Sequence, residues 1–100
     1  MSAFDIAGID EVIHGRIRLG VMAYLAGAGA ADFNALKAKL AATDGNLSVH
    51  LRKLEDAGYI AIDKRFVAKK PQTRVKLTAK GRAAFVAYLD AIARLLNETR

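Results

Sequence analysis

Apolar residues along this 100-residue chain change period partway, and the change divides it into elements. Ile13, Ile17, Val21 and Leu25 recur every fourth residue, joined by Tyr24, so one stripe predicts a helix from about Asp10 to Ala26. Asp10 is placed to cap it, and Glu11 to meet the positive end of its dipole. The GAGA stretch at Gly27–Ala30 ends it, since glycine is the usual residue just past a helix. Phe33, Leu36 and Leu40 mark a short helix over about 32–40, capped by Asp32. Leu47, Leu51 and Leu54 mark a third, from a cap at Thr43 to about Ala57, with Gly58 as its left-handed stop. Only Ala41 and Ala42 separate these two helices, so they form a tight pair.

The period then falls from 3.6 to 2. Tyr59-Ile60-Ala61-Ile62-Asp63 alternates, and Phe66 keeps the parity of Ile60 and Ile62. After a turn predicted at Lys69–Gln72, Val75 and Leu77 point one way and Arg74 and Lys76 the other, giving a hairpin over about 59–77. Lys64 falls on the inward parity, so a frayed or bulged strand is expected there. A final helix runs from a Thr78 cap to about Asn97, near 30 Å at 1.5 Å per residue. Phe85, Leu89, Ile92 and Leu96 form one stripe on it, and Tyr88, Ala91 and Leu95 an adjacent one. Arg82, Val86, Asp90 and Arg94 take the remaining face, with Asp90–Arg94 as an i, i+4 ion pair. Two apolar stripes exceed what one small core needs. Tyr88, Ala91, Ile92, Leu95 and Leu96 are therefore expected to meet a second copy of the chain.

Charge sharpens the picture. The formal net charge is +6, yet eight of the basic residues lie between Lys64 and Arg82 with no acid among them. They are Lys64, Arg65, Lys69, Lys70, Arg74, Lys76, Lys80 and Arg82; the remainder has eight basic residues against ten acidic. So local an excess is an address for an anionic partner. Lys80 stands in the first turn of the last helix, where a cation is disfavoured. Either phosphate lies nearby or its flexible stem carries the charge away.

Other chemistry is not expected. The absence of cysteine removes disulfides and thiolate ligands, and two histidines, His14 and His50, have no metal-ligand spacing, so neither metal nor cofactor is anticipated. His50, beside the leucine row, reads as a packed or backbone-bonded side chain. No nucleophile with a base, carboxylate pair or phosphate-cradling glycine loop is visible, which argues against an enzyme. The N-terminus, with no basic residue before Arg16, does not resemble a secretory signal, and no apolar run reaches membrane-spanning length. A soluble cytoplasmic chain without membrane contact is expected.

Helix, short helix, helix, hairpin and long helix is the order of a winged helix-turn-helix: mainly α, with a three-helix core, a two-stranded wing and a long C-terminal helix. The chain is read as one such unit over 1–100. A major groove admits one α-helix, and the helix before it braces it across the backbone. With the leucines inward, the third helix presents Gly45, Asn46, Ser48, Val49, Arg52 and Lys53. Asn and Arg suit adenine and guanine edges, and Val49 a thymine methyl. Gly45 lets the helix start approach DNA closely. Lys64, Arg65, Lys69, Lys70, Arg74, Lys76 and Lys80 then take backbone or minor groove. Arg16 and Arg18 are open to DNA backbone or to intersubunit ion pairs.

The segments RIRLGVMAYL, GNLSVHLRKLEDAGYI and RVKLTAKGRAAF together resemble winged-helix transcriptional regulators related to the MarR and ArsR groups, over roughly residues 9–96. That resemblance implies a homodimer built by the terminal helices, with a recognition helix and wing from each subunit. It places the recognition pattern on Asn46, Ser48, Val49, Arg52 and Lys53, and the wing on Lys64–Arg74. Binding of RNA or of a protein partner is the alternative use of such a module. Any small-molecule effector is left unspecified.

Overall fold

The computed structural model describes residues 4–98; the ends of the expected 1–100 unit lie outside the described residues. A single 3-10 turn, Ile6–Gly8, leads to helix α1 (Arg16–Ala28), strand β1 (Ala30–Asp32), helix α2 (Phe33–Leu40) and helix α3 (Asp44–Asp56). Strands β2 (Ile60–Val67) and β3 (Lys70–Leu77) form the hairpin, and α4 (Ala79–Glu98) closes the chain. The result is a mainly helical winged-helix fold with a small antiparallel sheet.

The first helix starts later than its stripe suggests. Asp10 does cap a turn, accepting from the Val12 amide at 2.9 Å, and His14 N–H reaches the Asp10 carbonyl. Gly15 then takes φ +149, a backbone region that strongly favours glycine, and interrupts the run before Arg16. The predicted stripe nevertheless stays intact, because Ile13, Ile17, Val21 and Leu25 are all buried. Asp32 caps α2 through the Asn34 amide, and Thr43 caps α3 through the Asn46 amide at 3.1 Å.

Helix α3 ends in a Schellman arrangement. Tyr59 N–H returns to the Leu54 carbonyl and Gly58 N–H to that of Glu55, with Gly58 at φ +82. Leu47, Leu51 and Leu54 are buried beneath it, in one cluster with Met22, Leu36, Ile60, Val75 and Phe85. Thr78 joins the next two elements: its hydroxyl donates to the Gly58 carbonyl and accepts from the Gly81 amide. Gly81 itself presses on the backbone of Tyr59. A methyl group there would stand 2.0 Å from the Tyr59 carbonyl oxygen. The first turn of α4 is thereby seated against the start of the hairpin.

The sheet departs from a two-stranded wing. Ala30–Asp32 adds a third strand, so the order is β1-β3-β2, with Ala31 opposite Val75. The turn also lies earlier than Lys69–Gln72: Val67 pairs with Lys70, and Ala68 and Lys69 both take positive φ, as a two-residue type I′ turn requires. Pro71 falls inside β3, beyond the three residues that β1 covers, so its missing N–H costs that edge nothing. No bulge occurs at Lys64, which pairs with Thr73 in unbroken register. The strand has simply left the core by then, so neither face needs to be apolar. Phe66 follows the parity of Ile60 and Ile62 and yet is 77% exposed.

The last helix corrects the expected subunit interface. Tyr88 and Ala91 are buried within the chain's own core, Tyr88 with its hydroxyl 2.9 Å from His14 Nδ1. Ile92 and Leu95 are half-buried beside them, while Val86, Leu89 and Leu96 are exposed. The two stripes therefore divide unequally: Tyr88 and Ala91, with Phe85 from the other stripe, complete the chain's own core.

Candidate nucleic-acid interface

The side of α3 away from its leucines carries Gly45, Asn46, Ser48, Val49, Arg52 and Lys53, all six exposed. Val49 is near the middle of this face and 56% exposed, an arrangement that leaves its methyls available to a partner. Asp44, the one acid in the first turn, is paired with Lys37 of α2 at 2.7 Å. Neither Arg52 nor Lys53 has an ion-pair partner among the described residues.

The wing cations separate onto two faces. Residues directly opposite in the ladder share a face, so Ile62–Val75, Lys64–Thr73 and Phe66–Pro71 line one side of the hairpin. Ala61–Lys76, Asp63–Arg74, Arg65–Gln72 and Val67–Lys70 line the other. The first side looks toward α3: Ile62, Lys64 and Thr73 line a groove of about 710 Å³ together with Ser48, Leu51 and Arg52. Arg65 is hydrogen-bonded to Asp63 two residues earlier, and its guanidinium holds that carboxyl below the usual range. Lys69 is in the turn itself, with Lys70 next to it.

Lys80 and Arg82 of the basic cluster, and Arg18 of α1, make contacts within the scaffold. Lys80 lays its stem along Gly58 and its ammonium 5.9 Å from the centre of the Tyr59 ring. Its charge is thus drawn off the helix end, the second of the two readings the sequence allowed. Arg82 donates to the Ala26 carbonyl at 3.2 Å and steadies the end of α1. Arg18 donates to the Val12 carbonyl at 2.6 Å and bonds His50 Nδ1 at 2.8 Å. It therefore ties the segment before α1 to α3. His50 is held below its ordinary value of 6.5, first by burial, then by Arg18, Lys53 and Arg16. Tyr59, whose hydroxyl donates to Asp10, is pushed up to about 12, chiefly by that hydrogen bond and then by burial.

Two residues of this surface escaped sequence reasoning. Thr73 enters through the β-ladder alone, opposite Lys64, and the parity of Phe66 points to the core. Only the hairpin's length beyond the core reveals their position. Among the described residues no helix is long and apolar enough to cross a membrane.

Comparison with known proteins agrees with this geometry. A profile for the winged helix DNA-binding domain matches residues 17–96. An uncharacterised protein of Methanocaldococcus jannaschii is 39% identical over 85 residues, covering 85% of this chain and 92% of the relative. The structure of a transcriptional regulator homologue from Pyrococcus horikoshii superposes with a TM-score of 0.87 at 26% identity, over 99% of this chain and 98% of that one. The fold recurs in NadR, solved with 4-hydroxyphenylacetate, at a TM-score of 0.71 and 18% identity over 93% of this chain and 65% of that one. With its brace, outward helix face and projecting hairpin, the chain belongs to the winged helix DNA-binding domain family.

Proposed function

We propose that this protein is a cytoplasmic, sequence-specific transcriptional regulator of double-stranded DNA that acts as a homodimer. One observation carries the reading: an outward helix face with Asn46, Arg52 and Lys53 stands beside a basic hairpin that extends past the core. In this reading Asn46, Val49 and Arg52 contact base edges, and Gly45, Ser48 and Lys53 hold the helix against the groove and its phosphates. Lys64 and the turn residue Lys69 neutralise backbone beside it, with Arg65, Lys70, Arg74 and Lys76 on the wing's other face supplying further attraction. Lys80 contributes to positioning rather than to contact.

The dimer is proposed through the part of α4 that its own core leaves open. Val86 and Leu89 are exposed and Ile92 and Leu95 half-buried, and Ile6 adds a further exposed apolar side chain. Two recognition helices related by a twofold axis would read half-sites about one helical turn apart. Competition on a native gel tests the choice of partner. Double-stranded DNA is expected to displace a labelled duplex far more readily than double-stranded RNA, whose deep narrow major groove refuses α3. Preference for RNA would overturn the assignment of Asn46 and Arg52 to base reading.

A further inference from the structure

The apolar tip of the wing has no role in the fold. Phe66 is 77% exposed and Pro71 stands directly opposite it in the ladder, also exposed. No buried residue of the core cluster belongs to this end of the hairpin; the last are Ile60 and Val75. Bare aromatic surface on a projecting strand invites edge-to-edge pairing, a liability usually blunted with charge or polar residues. Here the charges along the strand tip, Lys64, Arg65, Lys69 and Lys70, are all basic. Lys64 lies two residues before the ring on its own face and Lys69 is in the turn beyond it, while Arg65 is paired with Asp63 on the other face. An apolar ring flanked along its face by cations is complementary to a polyanion with an apolar interior, which describes stacked bases between two phosphate backbones.

Position agrees with composition. Phe66 and Pro71 continue the hairpin face that Ile62, Lys64 and Thr73 turn toward α3, two residues further out. From Ile62 the strand extends roughly 13 Å to Phe66 and roughly 20 Å to the turn at Ala68, at about 3.3 Å per residue. Half a helical turn, the step from a major groove to the neighbouring minor groove, is about 17 Å. A hairpin of this length, leaving the flank of a helix seated in one groove, delivers its tip to the next. Phenylalanine and proline are both side chains that part base steps when they enter a minor groove.

On the basis of the DNA-binding reading above, we infer that Phe66, backed by Pro71, is a wedge that enters the minor groove, partly unstacks one base step and bends the duplex. The wing then contributes to sequence preference without hydrogen-bonding a base edge, because flexible pyrimidine–purine steps open at lower cost than A-tracts. Selectivity at the wing is for deformability, and selectivity at α3 is for base edges.

End-to-end fluorescence energy transfer on a short duplex selected from random sequence tests this with the full chain. Transfer is expected to rise on binding of the wild type and of Phe66→Leu, and to stay at the free-duplex value with Phe66→Ala. Phe66→Ala should also weaken binding by about tenfold, the scale of one aromatic–base stacking contact. The slope of affinity against salt should be unchanged, because no charge is altered. Circular dichroism melting of Phe66→Ala should match the wild type. A duplex left straight by the wild type, or bent equally by Phe66→Ala, overturns the wedge while leaving DNA binding intact. Conversion of Phe66→Ala to a monomer by light scattering would place the ring at a subunit contact and also overturn it. Failure of the wild type to hold any duplex would sink the DNA-binding reading itself.

Discussion

At the scale of single residues, one guanidinium ties helix α3 to the segment before α1. Arg18 bonds the Val12 carbonyl with Nε and the His50 ring with a terminal nitrogen, so the segment before α1 and the middle of α3 are tied through it. The His50 Nδ1 accepts that bond only while unprotonated. Its pKa is depressed in the folded chain, first by burial and then by three neighbouring cations. The unfolded chain therefore binds the extra proton more readily, and stability is present above pH 6.5 and lost as pH falls through the depressed value. Thermal melting should show a decline below that pH, and His50→Gln should flatten it; an unchanged pH profile in the variant would show that other groups set the dependence. Arg18 illustrates what a sequence withholds. Its partner is 32 residues away, and nothing in RIRLG distinguishes a brace from a phosphate contact. His50, beside the leucine row, reads as packed or backbone-bonded, whereas the structure half-buries it and bonds it to the Arg18 side chain.

Arg52 belongs to the same scale. On the outward face of α3, without an acid to hold it, its fork is available for two acceptors of one guanine. Arg52→Ala should change which base is preferred at one position of the site, by about 1–3 kcal/mol. Measured across single-base variants of a bound duplex, a uniform loss would assign it to phosphate instead.

At the scale of elements, local signals were sound where capping chemistry is strong and failed where pairing decides. Asp32, Thr43, Gly58 and Thr78 mark helix ends correctly because each supplies a hydrogen bond or a backbone angle of its own. Strand β1 was invisible: Ala30-Ala31-Asp32 has no alternation and exists through pairing with Lys76, Val75 and Arg74, more than 40 residues away. The hairpin turn was misplaced because Lys-Lys-Pro-Gln carries turn-favouring residues, while the actual turn uses Ala68 and Lys69 in left-handed conformations. That backbone suggests a direct experiment. Replacing Ala68-Lys69 by Asn-Gly should stabilise the hairpin by about 1 kcal/mol, since those residues adopt positive φ with little strain. Hydrogen exchange of the β2–β3 amides should slow. Faster exchange would mean that the turn is not type I′ in solution.

At the scale of the whole molecule, fold and charge act together. The described chain extends 56 by 25 by 21 Å, with the hairpin tip and the end of α4 outside the core that joins them. Surplus apolar surface on the last helix was legible in the sequence as a second stripe, but which stripe was surplus depended on the packing of Tyr88 against His14. The dimer contact is accordingly expected at Val86 and Leu89. Leu89→Glu should convert a dimer to a monomer by light scattering and leave the fold intact, because the side chain is 48% exposed. A wild type that is already monomeric at micromolar concentration would contradict the twofold arrangement.

If α3 reads sequence while the wing supplies attraction, the two contributions separate when the protein is titrated into a duplex selected from genomic DNA, and into the same duplex scrambled, over a range of salt. The selected duplex should bind at least about a thousandfold more tightly at physiological salt. Affinity for it should fall with salt at roughly −0.9 per phosphate neutralised, less steeply once Lys69 and Lys70 are both alanine. Equal affinity for the selected and scrambled duplexes would contradict sequence reading by α3.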